Sequence, residues 1–307
     1  MKKVRTLSLI LIALILLATG CNQATTPTTT AAPAVTEAET EAPTEAATEA
    51  ETEAPTEAET EAADAVEKII IGVTPNPHET LVKLVEDQLK EKGIELEIVV
   101  FTDYVTPNPA LNDGELDANY FQHIPYFDDA VEKDKLEIEI LGGIHIEPMG
   151  VYSTSIESLD DLKDGDEVLI PNDTVNGGRA LLLLQANGVI ELKDGGSVTS
   201  TERDIVTNDK NLKFTPLEAA TIPLSYEDAA IGVINGNYAL DNGLNPVKDA
   251  IVLEDESSPY VNIIAVRKGE AQLPKFQALL EALQSDEIKE FIETEYDGSV
   301  IPAFSKP

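Results

Sequence analysis

From residue 68 onward the chain alternates short apolar runs with stretches of helical spacing. Residues 68–73, Lys-Ile-Ile-Ile-Gly-Val, form the near-continuous apolar run of a strand buried on both faces. Over 78–92, Leu81, Leu84, Val85 and Leu89 recur at helical spacing, which predicts a helix that Gly93 stops. Residues 95–101, 136–141 and 167–171 read as further strands. Residues 179–187 read as a helix ended by Gly188, and 229–234, 250–253 and 261–266 as strands. Helical spacing returns over 273–283 and 285–295. Such alternation predicts an α/β fold with largely parallel sheets, in one large domain or two small lobes. Ligands of such folds sit at loops beyond the carboxyl ends of strands.

The first residues follow another pattern. Lys2, Lys3 and Arg5 precede an apolar run from Leu7 to Leu17, then Ala18, Thr19 and Gly20. This is the order of a secretory signal, and the run is short of the roughly 20 apolar residues that span a bilayer. Residues 1–20 are therefore expected as a signal peptide. The next residue, Cys21, is the only cysteine and cannot form an internal disulfide. It resembles the cysteine of a bacterial lipobox, which is lipidated and becomes the mature N-terminus, although Ala18 stands where that motif usually has Leu. The expected location is the extracytoplasmic face of a membrane, held by a lipid anchor.

Residues 22–67 are almost entirely Thr, Ala, Glu and Pro, and the unit Glu-Ala-Pro-Thr-Glu-Ala recurs at Glu41 and Glu53. Ten glutamates fall between Glu37 and Glu61, so mutual repulsion and scarce apolar surface predict a disordered, extended tether. About a third of the formal net charge of −36 sits there, so the acidity says little about the ligand of the remaining chain. It argues against nucleic acid as a partner.

The chain has eight Tyr, seven Phe and no Trp, and Tyr104, Tyr120, Phe121, Tyr126 and Phe127 fall close together. His123, one of three histidines, sits in the same run, Asp117-Ala-Asn-Tyr-Phe-Gln-His-Ile-Pro-Tyr126. Aromatic rings threaded with Asn119, Gln122 and His123 suit either a local core patch or a concave site with an apolar wall and polar tips. Phe121 and His123 are two apart and face the same way on an extended segment. The aromatic run is read as one of several loops beyond strands. The others are Thr74-Pro-Asn-Pro-His-Glu79, Tyr104-Val-Thr-Pro-Asn108, His145-Ile-Glu-Pro-Met149, the 171–179 stretch, and Asn235-Gly-Asn-Tyr238. No His-Glu-x-x-His, Gly-x-Ser-x-Gly or Gly-x-x-x-x-Gly-Lys motif is present, so neither an enzyme nor a cofactor is expected.

These stretches, in this order, resemble the methionine-binding lipoproteins of bacterial ABC importers, the MetQ/NlpA family, over residues 69–304. The match includes 117–126, 145–150, 179–185 with its leucine run, and 233–240. Asn76 stands where the family commonly has Gly, and Thr174 where Pro is usual. The resemblance implies a two-lobed, periplasmic-binding-protein-like (type 2) fold with the ligand in the interlobe cleft. Lobe I would take 68–150 plus 255–307 and lobe II 151–254. It also implies a monomeric, lipid-anchored protein that captures L-methionine and delivers it to a permease with its ATPase. A methionine-containing dipeptide, D-methionine, the sulfoxide, or an adhesin that keeps the fold are the alternatives.

A free amino acid presents a carboxylate, an ammonium group and a side chain. Arg179, expected in the first turn after Asn176-Gly177-Gly178, suits the carboxylate through a bidentate guanidinium. Asn235 and Asn176 offer acceptors for the ammonium group. Glu147 is either its counter-charge or a structural pair at the lobe crossing. Tyr104, Phe121, His123 and Tyr126 resemble the family's thioether pocket, and thioethers favour aromatic linings. His145 is open between a site role and a structural one, and His78 is assigned to the first helix.

Overall fold

The protein is described by a computed structural model over residues 66–255 and 258–305. The leader, Cys21 and the acidic segment lie outside the described residues, except Val66 and Glu67. In chain order the strands are β1 (Glu67–Val73), β2 (Ile94–Val100), β3 (Ala118–His123), β4 (Ile138–Ile146), β5 (Gly150–Tyr152), β6 (Glu167–Pro171) and β7 (Glu191–Leu192). They continue with β8 (Ile205–Thr207), β9 (Lys213–Leu217), β10 (Ile231–Ile234), β11 (Val252–Leu253), β12 (Val261–Arg267) and β13 (Ile301–Ser305).

Two sheets organise two lobes. The first has the order β13-β4-β12-β3-β1-β2, the second β11-β5-β10-β6-β9. Each has its own core: Ile69, Ile71, Leu81, Leu89, Phe276 and Leu283 pack in the first, and Val168, Ile170, Leu181, Leu184 and Val233 in the second. The expectation of largely parallel sheets is corrected. β1 pairs in parallel with β2 and β3, and β6 with β9 and β10. β12 is antiparallel to β3 and β4, β13 to β4, and β5 to β10 and β11. The chain passes between the sheets twice, after β4 and after β11, and the returning strands insert against the local direction. At the crossing the two passes touch: Glu254 N–H donates to Met149 O at 2.9 Å.

The helix expected over 78–92 is divided. A helical turn at Pro75–Glu79 leads into Thr80–Leu84, and Val85 separates this from Glu86–Glu91. Leu81, Val82, Val85 and Leu89 are buried against the first sheet, whereas Leu84 turns outward at 45% exposure. The helix expected from 179 begins at Thr174 and runs to Ala186. Asp173 caps it by accepting the Asn176 N–H at 2.8 Å. Gly177 and Gly178 read as a turn but lie inside this helix, because neighbouring backbone carbonyls of Pro171 and Val198 leave no room for a Cβ. The closing helices form at Pro274–Leu283 and Asp286–Tyr296.

The aromatic run is not a loop. Residues 118–123 form β3, an interior strand between β1 and β12, and the helix Ile124–Asp134 follows at once. Asn119 and Gln122 are buried in this strand because Asn108 meets both amides, at 2.9 and 2.7 Å.

Candidate functional site

The end of β3 supplies one wall of a cavity. Phe121 and His123 project from it on the same side, as their spacing predicts, and Tyr126 follows in the first turn of the next helix. The segment after β2 brings Tyr104, the start of the helix Thr174–Ala186 brings Asn176 and Arg179, and the end of β10 brings Asn235. All seven residues singled out in the sequence line this one cavity of about 330 Å³, its open mouth included. Glu147 and Asn237 line it as well.

The rings form a connected wall. Tyr104 lies 6.1 Å from Phe121, 6.0 Å from Tyr126 and 4.8 Å from Tyr238, centroid to centroid. Tyr126 OH donates to Tyr104 O at 2.9 Å, and Tyr104 OH to Asn237 Oδ1 at 2.5 Å. The second of these bonds joins the segment after β2, in the first lobe, to the helix Gly236–Asp241 after β10, in the second; residues 235–238, expected as a loop, are the cap and first turn of that helix.

An amide relay crosses the cavity floor. Tyr126 N–H donates to His123 Nδ1 at 3.2 Å, so His123 carries its proton on Nε2 and donates to Asn176 Oδ1 at 3.1 Å. Asn235 Nδ2 donates to the same oxygen at 2.9 Å. Asn176 Nδ2 in turn reaches both carboxylate oxygens of Asp173 at 3.1 Å. Burial first, and Arg179 second, push His123 down to about 3, so it stays neutral. Among the described residues, two buried side-chain atoms of the lining are without partners, Asn235 Oδ1 and Asn237 Nδ2, one acceptor and one donor.

Arg179 is 3% exposed and lies in the second turn of its helix, not the first. Its fork is engaged within the protein. Nε donates to Glu254 Oε1 at 3.0 Å, and Nη2 to Glu254 Oε2 at 2.5 Å and to Glu147 O at 2.9 Å. Its Cζ sits 3.9 Å from the centroid of the Tyr260 ring. The bidentate partner expected from a ligand carboxylate is thus supplied by Glu254, behind the cavity wall.

Glu147 lies where the first sheet passes to the second. Its Oε2 accepts the Asn237 N–H at 2.8 Å, and its Oε1 lies 2.6 Å from His145 Nε2 and 3.3 Å from His78 Nε2. Burial raises its carboxyl, while His78, the Asn237 N–H and Arg179 act in the opposite sense. Among the described residues, His78, His145 and Glu147 form the one group of donor atoms close enough to surround a metal ion. Two ligands about 2.0–2.2 Å from tetrahedral zinc stand roughly 3.4 Å apart. The 2.6 Å between His145 Nε2 and Glu147 Oε1 is a hydrogen bond instead.

The sequence profile of the NlpA lipoproteins matches residues 69–304. The chain belongs to the NlpA lipoprotein family. One family relative, the D-methionine-binding lipoprotein MetQ of Salmonella typhi, is 43% identical over 236 residues, covering 76% of this chain and 87% of that protein. A nutrient binding protein from Burkholderia cenocepacia, solved bound to methionine, superposes with a TM-score of 0.74 at 43% identity, covering 77% of this chain and 100% of that one. An ABC transporter periplasmic substrate-binding protein from Coxiella burnetii superposes with a TM-score of 0.72 at 37% identity, covering 76% and 100%. The two lobes found here are the architecture of these NlpA-family structures.

Asn237 and Glu254 were missed in the sequence. Asn237 carried a signal, since it stands two residues after Asn235 in a polar run closing an apolar strand. Glu254 carried none, because its partner lies 75 positions away in an acid-rich chain.

Proposed function

We propose that this protein binds methionine in the cleft between its lobes and delivers it to an ABC importer. The carrying observation is the pair of unpartnered buried atoms, Asn235 Oδ1 and Asn237 Nδ2, on residues that line one cavity with Arg179 and the aromatic wall. An unpaired buried acceptor and an unpaired buried donor each cost about 1–3 kcal/mol, so a ligand that satisfies both is favoured. An α-amino acid offers an ammonium donor to Asn235 and Glu147, and a carboxylate acceptor to Asn237 and Arg179. Tyr104, Phe121 and Tyr126 then receive its side chain, with His123 and Asn176 bracing the floor.

The names of the relatives support methionine as the side chain and an ABC importer as the destination. Lobe I takes 68–150 plus 255–307 and lobe II 151–254, and the protein works as a monomer whose lobes close on the ligand. In a thermal-shift panel of free amino acids, methionine should raise the melting temperature and glutamine should leave it unchanged. A shift with glutamine alone would reassign the ligand.

Cys21 is the proposed anchor. Two acyl chains give stable attachment where one is marginal. Cys21→Ala is expected to release the protein from washed membranes into the soluble fraction. Retention of the variant on membranes after a high-salt wash would place the attachment elsewhere.

A further inference from the structure

Two of the three histidines do not line the cavity. His78 and His145 are 1% and 0% exposed, behind Glu147. His78 Nε2 faces two acceptors, Asn262 Oδ1 at 3.1 Å and Glu147 Oε1 at 3.3 Å, so it carries the proton. Its Nδ1 then accepts from Thr74 Oγ1 at 2.8 Å. His145 is arranged alike: Tyr120 OH meets Nδ1 at 2.5 Å, leaving Nε2–H for Glu147 Oε1 at 2.6 Å. A hydroxyl from β3 and one from the end of β1 thus set both tautomers; His145 donates to the Glu147 carboxylate, while the His78 Nε2–H goes to Asn262 Oδ1 and its ring packs 3.3 Å from the same carboxylate oxygen.

Glu147 passes this order across the lobes. Its other oxygen holds the Asn237 N–H. The preceding residue, Gly236, lies so close that a Cβ there would stand 2.9 Å from Glu147 Cβ and 3.2 Å from Pro148 O. Asn237 Oδ1 then takes the Tyr104 hydroxyl. The path begins in the first lobe, reaches the first turn of the helix after β10 in the second, and returns to the aromatic wall.

We propose that His145, backed by His78, is a positioning residue for ligand binding: by holding the Glu147 carboxylate it fixes the start of the helix Gly236–Asp241, and with it Asn235, Asn237 and Tyr104, in the geometry that completes the cavity. This rests on the cavity being the ligand site. Burial lowers His78 to about 4 and His145 to about 3, so both remain neutral donors near pH 7. A buried carboxylate that loses a donor must be desolvated without compensation or protonated, and either outcome loosens its hold on the Asn237 N–H at the helix start.

Two substitutions separate positioning from packing. His145→Phe keeps a flat ring and removes the donor. His145→Gln loses the ring and places an amide N–H₂ near the site of Nε2. The Phe variant should bind methionine about tenfold more weakly, and the Gln variant within about threefold of the parent. Tyr120→Phe, which removes only the hydroxyl that sets the His145 tautomer, should cost about threefold and is the milder change if His145→Phe folds poorly. A tolerated Phe with a damaging Gln would make His145 a packing residue and overturn the proposal. Equal losses in both variants, or unchanged affinity in Tyr120→Phe, would also overturn it. Affinity should be indifferent to EDTA, and a loss on chelation would replace the hydrogen-bonded cluster with a metal site. Titration of the unmutated protein in the same series tests the ligand reading by itself. Methionine binding there, with His145→Phe unaffected, defeats the positioning role alone.

Discussion

Arg179→Ala is expected to weaken methionine binding by about thirtyfold or more. Truncating one member of a buried, hydrogen-bonded charge pair costs roughly 2–5 kcal/mol. Here the loss has two parts. The ligand carboxylate loses its cation, and Glu254, whose carboxylate takes both Nε and Nη2, is left without its counter-charge. The melting temperature should therefore fall with the affinity. Lysine cannot restore the fork geometry or the stacking on Tyr260, so Arg179→Lys should recover only part of the binding. Calorimetric titration beside thermal unfolding checks both effects. A folded Arg179→Ala protein with parental affinity would assign the carboxylate to other groups.

The second large effect concerns the aromatic wall. Phe121 is 3% exposed and lies about 6 Å, centroid to centroid, from both Tyr104 and Tyr126. Phe121→Ala removes apolar surface from the proposed thioether contact. Burying such a side chain is worth about 1.5–3 kcal/mol, so methionine affinity should fall roughly ten- to a hundredfold. Alanine as ligand reaches little of this wall, and any binding it shows should change far less. Norleucine tests the sulfur separately. Sulfur–aromatic contacts contribute about 0.3–1.5 kcal/mol, so norleucine should bind the parent protein within roughly tenfold of methionine. Isothermal titration of both proteins with the three amino acids measures these differences. An equal loss for alanine and methionine would make Phe121 a structural residue of β3.

What was legible in the sequence depended on how locally each group is satisfied. Phe121, His123 and Tyr126 lie in one short run, and Asn176 and Arg179 three residues apart, but residue type and spacing left a core patch and a site both open, and the family resemblance joined them. The strand carrying Phe121 was not legible. Asn119, Gln122 and His123 give it the polar content of a loop, and partners such as Asn108 and Asn176, brought near by the fold, make burial tolerable. The start of the Arg179 helix was hidden for a related reason. Gly177 and Gly178 signal a turn unless one knows that the carbonyls of Pro171 and Val198 press against them. The network around Glu147 was least accessible. His78, His145 and Asn237 converge on it from three segments, and the Asn237 contact spans 90 positions. The mixed sheets follow from the two chain crossings, which the alternation of strand and helix does not encode.

The central claim is that the cleft binds methionine through both its backbone groups and its side chain. The most direct test is calorimetric titration of the ligand-stripped, unmutated protein with L-methionine and, separately, L-glutamine. The two share backbone groups and similar length, but glutamine would bring an amide to the aromatic wall, where Tyr104 and Tyr126 hydroxyls already have partners. The account predicts saturable one-to-one binding of methionine and at least a hundredfold weaker binding of glutamine. Equal affinity for the two, or no binding of methionine, would contradict it.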